Sequence, residues 1–225
     1  MQSKFTAIVL AAVLLAVSAF AVEDTGNAPA QSKGWDDTFT KFSMGVMLGI
    51  GPSYLKGAGE YYDAEKTTGF SIMFEMAYPI TDNMALRAEL GFDGMFGIGS
   101  KYQYVHREVK DSVSSSSFEI ALFWNMFLSE NFFVNLGPAI RFPWFEEKVE
   151  IEDEKVFSGE PEYGNDVWLD AVLGIGFKIR CFEFGFRGGY ELLGFYKETK
   201  RYSKVDIHEL RFRFYFMYWF GQKRT

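Results

Sequence analysis

Cysteine is nearly absent: Cys181 is the only one in 225 residues, so no internal disulfide can staple the chain. Histidine is almost as scarce. His106 and His208 are the whole supply, and neither has a serine and a carboxylate at a spacing that would build a nucleophile, base and orienting acid. Basic charge is in deficit, with 23 lysines and arginines against 30 aspartates and glutamates and a net charge of -7. That lacks the basic footprint a nucleic-acid partner requires. The apolar run Ile8 to Val17 is too short for a membrane helix, which needs about 20 residues.

That run reads instead as the core of an export signal. Lys4 supplies its positive start and Ala19-Phe20-Ala21 its small-x-small cleavage site, so residues 1–21 are expected to be removed and the mature chain to begin near Val22. Residues 22–40 carry no periodicity and read as a flexible lead-in, and 221–225 as a short tail.

What is abundant is aromatic and small. Phenylalanine occurs 25 times and glycine 22 times, and aromatics make up 19% of the chain, more than a soluble core of this length needs. The last stretch shows how they are arranged. Leu210, Phe212, Phe214, Phe216, Tyr218 and Phe220 alternate with Arg211 and Arg213, a period of two that only a strand can sort into faces.

The pattern repeats along 41–220. Phe42 to Ile50 alternate with Ser43, Gly45 and Gly49; Phe70 to Tyr78 with Ser71 and Glu75; Met84 to Phe92 with Arg87 and Glu89. Phe118 to Leu128, Phe132 to Trp144, Leu169 to Ile179 and Phe182 to Leu192 behave alike. About eight strands result. Pro138 falls on an apolar face and predicts a bulge or a missing ladder bond there.

Their connections alternate in length. Residues 54–66, 97–115, 145–165 and 196–204 read as long polar loops, whereas 79–83, 129–131 and the neighbourhood of Cys181 read as tight turns. A chain threaded through a bilayer has a reason to put every long loop on one side. The fold class expected is all-β: a closed antiparallel up-and-down transmembrane barrel, with its first and last strands paired so that no edge meets lipid.

The polar face decides between a membrane barrel and a soluble ligand carrier. It holds Glu75, Arg87, Glu89, Asp93, Glu119, Arg141, Asp170, Glu183, Arg187, Glu191, Glu209, Arg211 and Arg213, separated by glycines and alanines. Mixed charges among small residues suit a narrow interior in which each charge finds a partner, and the phenylalanine rows then face lipid. Tyr54, Tyr78, Trp124, Phe132, Trp144 and Tyr218 fit interfacial girdles; Trp168 and Trp219 join them by position, although their parity is interior.

Together the export signal, the alternating loops, the glycine-rich charged interior and the ending Phe216-Met217-Tyr218-Trp219-Phe220 resemble the small eight-stranded outer-membrane proteins of the OmpA/OmpX-like superfamily. The resemblance covers Lys41 to Phe220. It implies residence in the bacterial outer membrane, contact with its lipid, and recognition of the aromatic last strand by the barrel-assembly machinery.

The expected role is structural or surface-interactive through the four long loops, for a monomer with no cofactor, no metal site and no catalytic residue. The acidic run Glu146, Glu147, Glu150, Glu152, Asp153, Glu154, Glu160 and Glu162 offers oxygens to a hard cation but lacks the spacing of a dedicated calcium loop. Two alternatives stay open: a narrow transporter for small hydrophobic molecules, and a lipid-modifying enzyme using His106 or His208.

Overall fold

The computed structural model describes residues 42–56, 66–104, 107–152, 154–159, 166–194 and 208–220. The expected signal segment, lead-in and tail lie outside these, as does His106. Nine strands are described: β1 (Ser43–Lys56), β2 (Lys66–Thr81), β3 (Met84–Tyr104), β4 (Arg107–Phe127), β5 (Phe132–Ile151), β6 (Glu154–Gly159), β7 (Trp168–Ile179), β8 (Phe182–Glu191) and β9 (His208–Phe220).

Each barrel strand pairs antiparallel with its neighbours, and β1 pairs with β9, so eight strands close on themselves. The ninth, β6, is an outrigger paired with β5 alone among the described residues. Partners followed round the barrel from Met44 run through Met76, Ala88 and Leu122. They cross to Pro138, in the register that β4 and β5 keep on either side of it, and go on to Ala171, Tyr190 and Leu210. They come back to β1 at Tyr54, moving from position 44 to position 54, a stagger of ten residues. Eight strands so staggered tilt about 40° from the axis and give a backbone radius of about 8 Å.

Sidedness follows the period-2 pattern without slippage. On β7, Trp168, Asp170, Val172, Gly174, Gly176 and Lys178 point inward and are buried, while Ala171, Leu173, Ile175, Phe177 and Ile179 point out and are exposed. The same holds on β9, where Arg211, Arg213, Tyr215, Met217 and Trp219 are inside and Phe214, Phe216 and Phe220 outside. Ten residues at this tilt rise about 25 Å, the height of the apolar band on a membrane barrel.

The turns that reverse the chain at the end where β1 begins and β9 finishes are short. Thr81 Oγ1 donates to Asn83 Oδ1 at 2.9 Å across the β2–β3 turn. Between β4 and β5 the Leu128 and Ser129 amides both donate to the Phe132 carbonyl, and the Phe132 amide donates to Ser129 Oγ. Arg180 takes the left-handed φ of 56° that starts the two-residue β7–β8 turn.

Pro138 leaves a ladder gap opposite Leu122 and Phe123 with no shift of register, as expected of a residue without an amide hydrogen. Beside it, Gly137 is held by close approach: a Cβ there would collide with the Leu122 carbonyl oxygen.

The opposite end departs from expectation. Residues 97–104, 107–115 and much of 145–165 are not irregular loops. β3 and β4 run on as a hairpin to Tyr104 and Arg107, β5 continues to Ile151, and β6 pairs back onto it. These segments lack an apolar period on the lipid side because that face no longer meets lipid once the strands clear the rim; their backbone ladders continue all the same. The serines at 112 and 114–117 lie on β4, with Ser115 and Ser117 buried and Ser117 Oγ donating to the Asp93 carbonyl at 3.1 Å.

Candidate functional site

The interior gathers charged and polar side chains from every wall of the barrel. All thirteen charged residues anticipated for it are buried, because inward parity on strands of fixed register leaves them no other direction. They sort into two clusters and a rim.

Nearer the turn end, Arg87 donates to Glu75 through Nε at 3.0 Å and again through Nη2. It also lies 3.0 Å from Glu183 and donates to Asn125 Oδ1 at 3.1 Å. Its guanidinium sits 5.5 Å from the Phe133 ring centre and 5.3 Å from that of Trp219. Arg187 forks onto Glu89 at 2.5 and 2.8 Å, between the rings of Phe123 at 4.7 Å and Tyr215 at 5.0 Å. Glu183 in turn accepts from the Tyr215 hydroxyl and the Trp219 indole, each at 3.0 Å.

Nearer the loop end, Arg141 bridges Asp170 at 2.9 and 3.1 Å and Glu209 at 2.7 Å, with its guanidinium 4.5 Å from the Trp168 ring centre. Arg211 donates to Glu119, approaches Asp93 at 3.3 Å and reaches Asp170 at 2.8 Å. Arg213 grips Asp93 at 2.9 and 3.0 Å and donates to Ser53 Oγ at 3.2 Å. Arginine suits these places: its planar fork serves two carboxylates at once while its faces stack on rings.

At the rim, the Glu191 carboxylate accepts the Leu193 and Gly194 amides at 2.5 and 2.8 Å, and His208 Nδ1 lies 3.3 Å from it. The His208 ring stacks on Tyr190 at 5.5 Å. The acid beside His208 is therefore Glu191 across the β8–β9 ladder, not its sequence neighbour Glu209, which points inward to Arg141.

Sequence reading passed over several members of this interior. Lys178 is buried with Nζ 2.9 Å from the Arg180 carbonyl, and its inward parity was the available signal. Trp168 and Trp219 are fully buried inside the barrel rather than in the girdles. They cap the loop-side and turn-side clusters, as their parity requires. Trp124, Trp144 and Tyr78 do face outward.

What remains between the clusters is a cavity of about 10 Å³. Buried side chains occupy the bore around it, as a barrel of eight strands requires. Among the described residues no group of three or more histidine, cysteine, aspartate or glutamate side chains is placed to hold a metal ion. In the acidic hairpin, Glu146, Glu152 and Glu154 are exposed, with Lys148 3.4 Å from Glu146; Asp153, Glu160 and Glu162 lie outside the described residues.

No protein-family model and no curated protein matches the chain. Among solved structures, it aligns with Ail, the attachment invasion locus protein of Yersinia pestis, at a TM-score of 0.48 and 12% identity, covering 80% of this chain and 99% of that one. It aligns with Neisserial surface protein A at a TM-score of 0.38 and 13% identity, covering 79% and 95%. Closure and sidedness are read from the ladder and the burial pattern themselves. By these the chain is a closed, eight-stranded antiparallel up-and-down barrel with the apolar-out, polar-in sidedness of a membrane-spanning barrel.

Proposed function

We propose that this protein is a sealed scaffold whose work is done outside the membrane, by the sheet that β3 to β6 carry beyond the rim. The observation that carries this reading is the filled bore: six buried arginine and lysine side chains are interleaved with carboxylates, and the cavity between the two clusters measures about 10 Å³. A pathway for even a small hydrophobic solute needs a lumen, and this interior would have to break several buried ion pairs to make one.

The extension supports the outward half of the proposal. The β3–β4 ladder continues from Ile98↔Val113 to Tyr104↔Arg107, and the β4–β5 ladder to Val109↔Ile151, well past the last β5–β7 pair at Arg141↔Trp168. Binding surfaces concentrate on such projections from a rigid base. The charged interior serves as that base, holding eight strands in one register. The partner is a surface or ligand outside the cell, met by a single copy of the chain in lipid.

The test is electrical and osmotic. The purified full chain, reconstituted in planar bilayers and in liposomes, is expected to give no stepwise current and no swelling in small sugars. Sustained conductance would overturn the sealed reading and favour the transporter.

A further inference from the structure

Above the rim the sheet exchanges its apolar and polar sides. Within the membrane Leu122 and Ile140 are exposed to lipid while Glu119 and Arg141 are buried in the bore. On β4 the buried Ser117 and Ser115 belong to the bore side, and unbroken pairing with β5 carries their parity upward through Val113↔Glu147, Asp111↔Val149 and Val109↔Ile151. β3 shifts register between Met95 and Ile98, then sets Ile98 against Val113 and Tyr102 against Val109. β6 sets Phe157 against Val149. The row that continues the bore side therefore holds Ile98, Tyr102, Val109, Val113, Val149 and Ile151, whereas the row that continues the lipid side holds Lys101, Lys110, Ser112, Ser114, Glu146 and Lys148.

A soluble sheet keeps an apolar row where something covers it. The described elements include no helix and no second sheet to lie over this one. Four strands wide and about five residues tall, the row spans about 14 Å each way, room for two to three turns of an α-helix. Charge sets the second condition. The stretch 146–162 carries eight carboxylates against Lys148 and Lys155, and at its tip Glu152 and Glu154 are exposed.

We infer that this row is the docking surface for a cationic amphipathic peptide segment, an inference that rests on the projecting sheet being the working part of the molecule. Apolar side chains of such a segment meet the valine, isoleucine and tyrosine row, and its lysines or arginines meet the acidic hairpin beside it. An anionic polymer is repelled by those carboxylates. A second copy laid face to face brings a second acidic hairpin with it, and a lipid tail leaves the charge unanswered.

The test places the mature full chain in phosphatidylcholine nanodiscs and adds a fluorescein-labelled helical peptide of leucine and lysine, read by anisotropy against empty nanodiscs. Saturable binding beyond that of empty discs is expected, weakening as sodium chloride is raised. Peptides with glutamate for lysine, or with serine for leucine, are expected not to bind. Tyr102→Ser and Val149→Ser should each weaken binding about tenfold, the effect of losing one anchoring side chain. Ser112→Ala and Ser114→Ala, on the other row, should leave it unchanged. Binding no greater than to empty discs, equal binding of the glutamate or serine peptide, or full affinity in both Tyr102→Ser and Val149→Ser would remove the docking surface. If a row variant does not fold, the peptide comparison on the wild-type chain decides. The sealed scaffold stands or falls separately, on the absence of current through the same protein in planar bilayers.

Discussion

At the scale of single residues, buried charge is retained only where each member is answered. Arg87 serves two carboxylates and an amide and lies between two rings. Arg87→Ala strands Glu75 and Glu183 in the bore, and the expected cost is about 3–5 kcal/mol, measured by urea unfolding in lipid vesicles. Replacing all three together, as Arg87→Met with Glu75→Gln and Glu183→Gln, should recover most of that loss, because no charge is then left without a partner. His208 behaves differently: it sits at the rim, bonded to Glu191 and stacked on Tyr190. His208→Ala is expected to leave the lipid profile of expressing cells unchanged by mass spectrometry, since its carboxylate partner is already engaged by two backbone amides. That partner was not legible in the sequence. Cross-strand neighbours depend on register, which turn geometry and closure set.

At the scale of elements, alternation identified each membrane-spanning strand but not where the strands stop. β3, β4 and β5 continue past the lipid, and there the hydrophobic period that marks a membrane strand leaves the lipid side while the hydrogen bonds persist. β6 was invisible for the same reason. It covers one edge of β5 beyond the rim, is only six residues long, and carries an irregularity opposite Val149 and Glu150. Those are the features by which natural sheets blunt an edge. Because β6 pairs with β5 alone among the described residues, replacing 154–159 with a short polar linker should leave the barrel intact. Its unfolding free energy should stay within about 0.5 kcal/mol, the range of changes that touch no buried feature. Electrophoresis in detergent should still show different mobilities before and after boiling.

At the scale of the whole molecule, one assignment orders everything else: lipid touches the phenylalanine and leucine rows, and the arginine and glutamate rows answer one another around the axis. Leu173, exposed at mid-height on β7, tests it. Leu173→Arg should cost about 2–4 kcal/mol in a bilayer and almost nothing if that face met water, so unfolding measured in vesicles separates the two. The sequence by itself determined the strand faces, the eight-fold repeat and the segregation of charge, because a period of two is a local property of the backbone. Only the tertiary structure decided which carboxylate meets which guanidinium, that Trp168 and Trp219 cap the bore from within, and how little space is left between the clusters. Those depend on a ten-residue stagger accumulated over the eight strand pairings that close the barrel, and no local pattern records that sum.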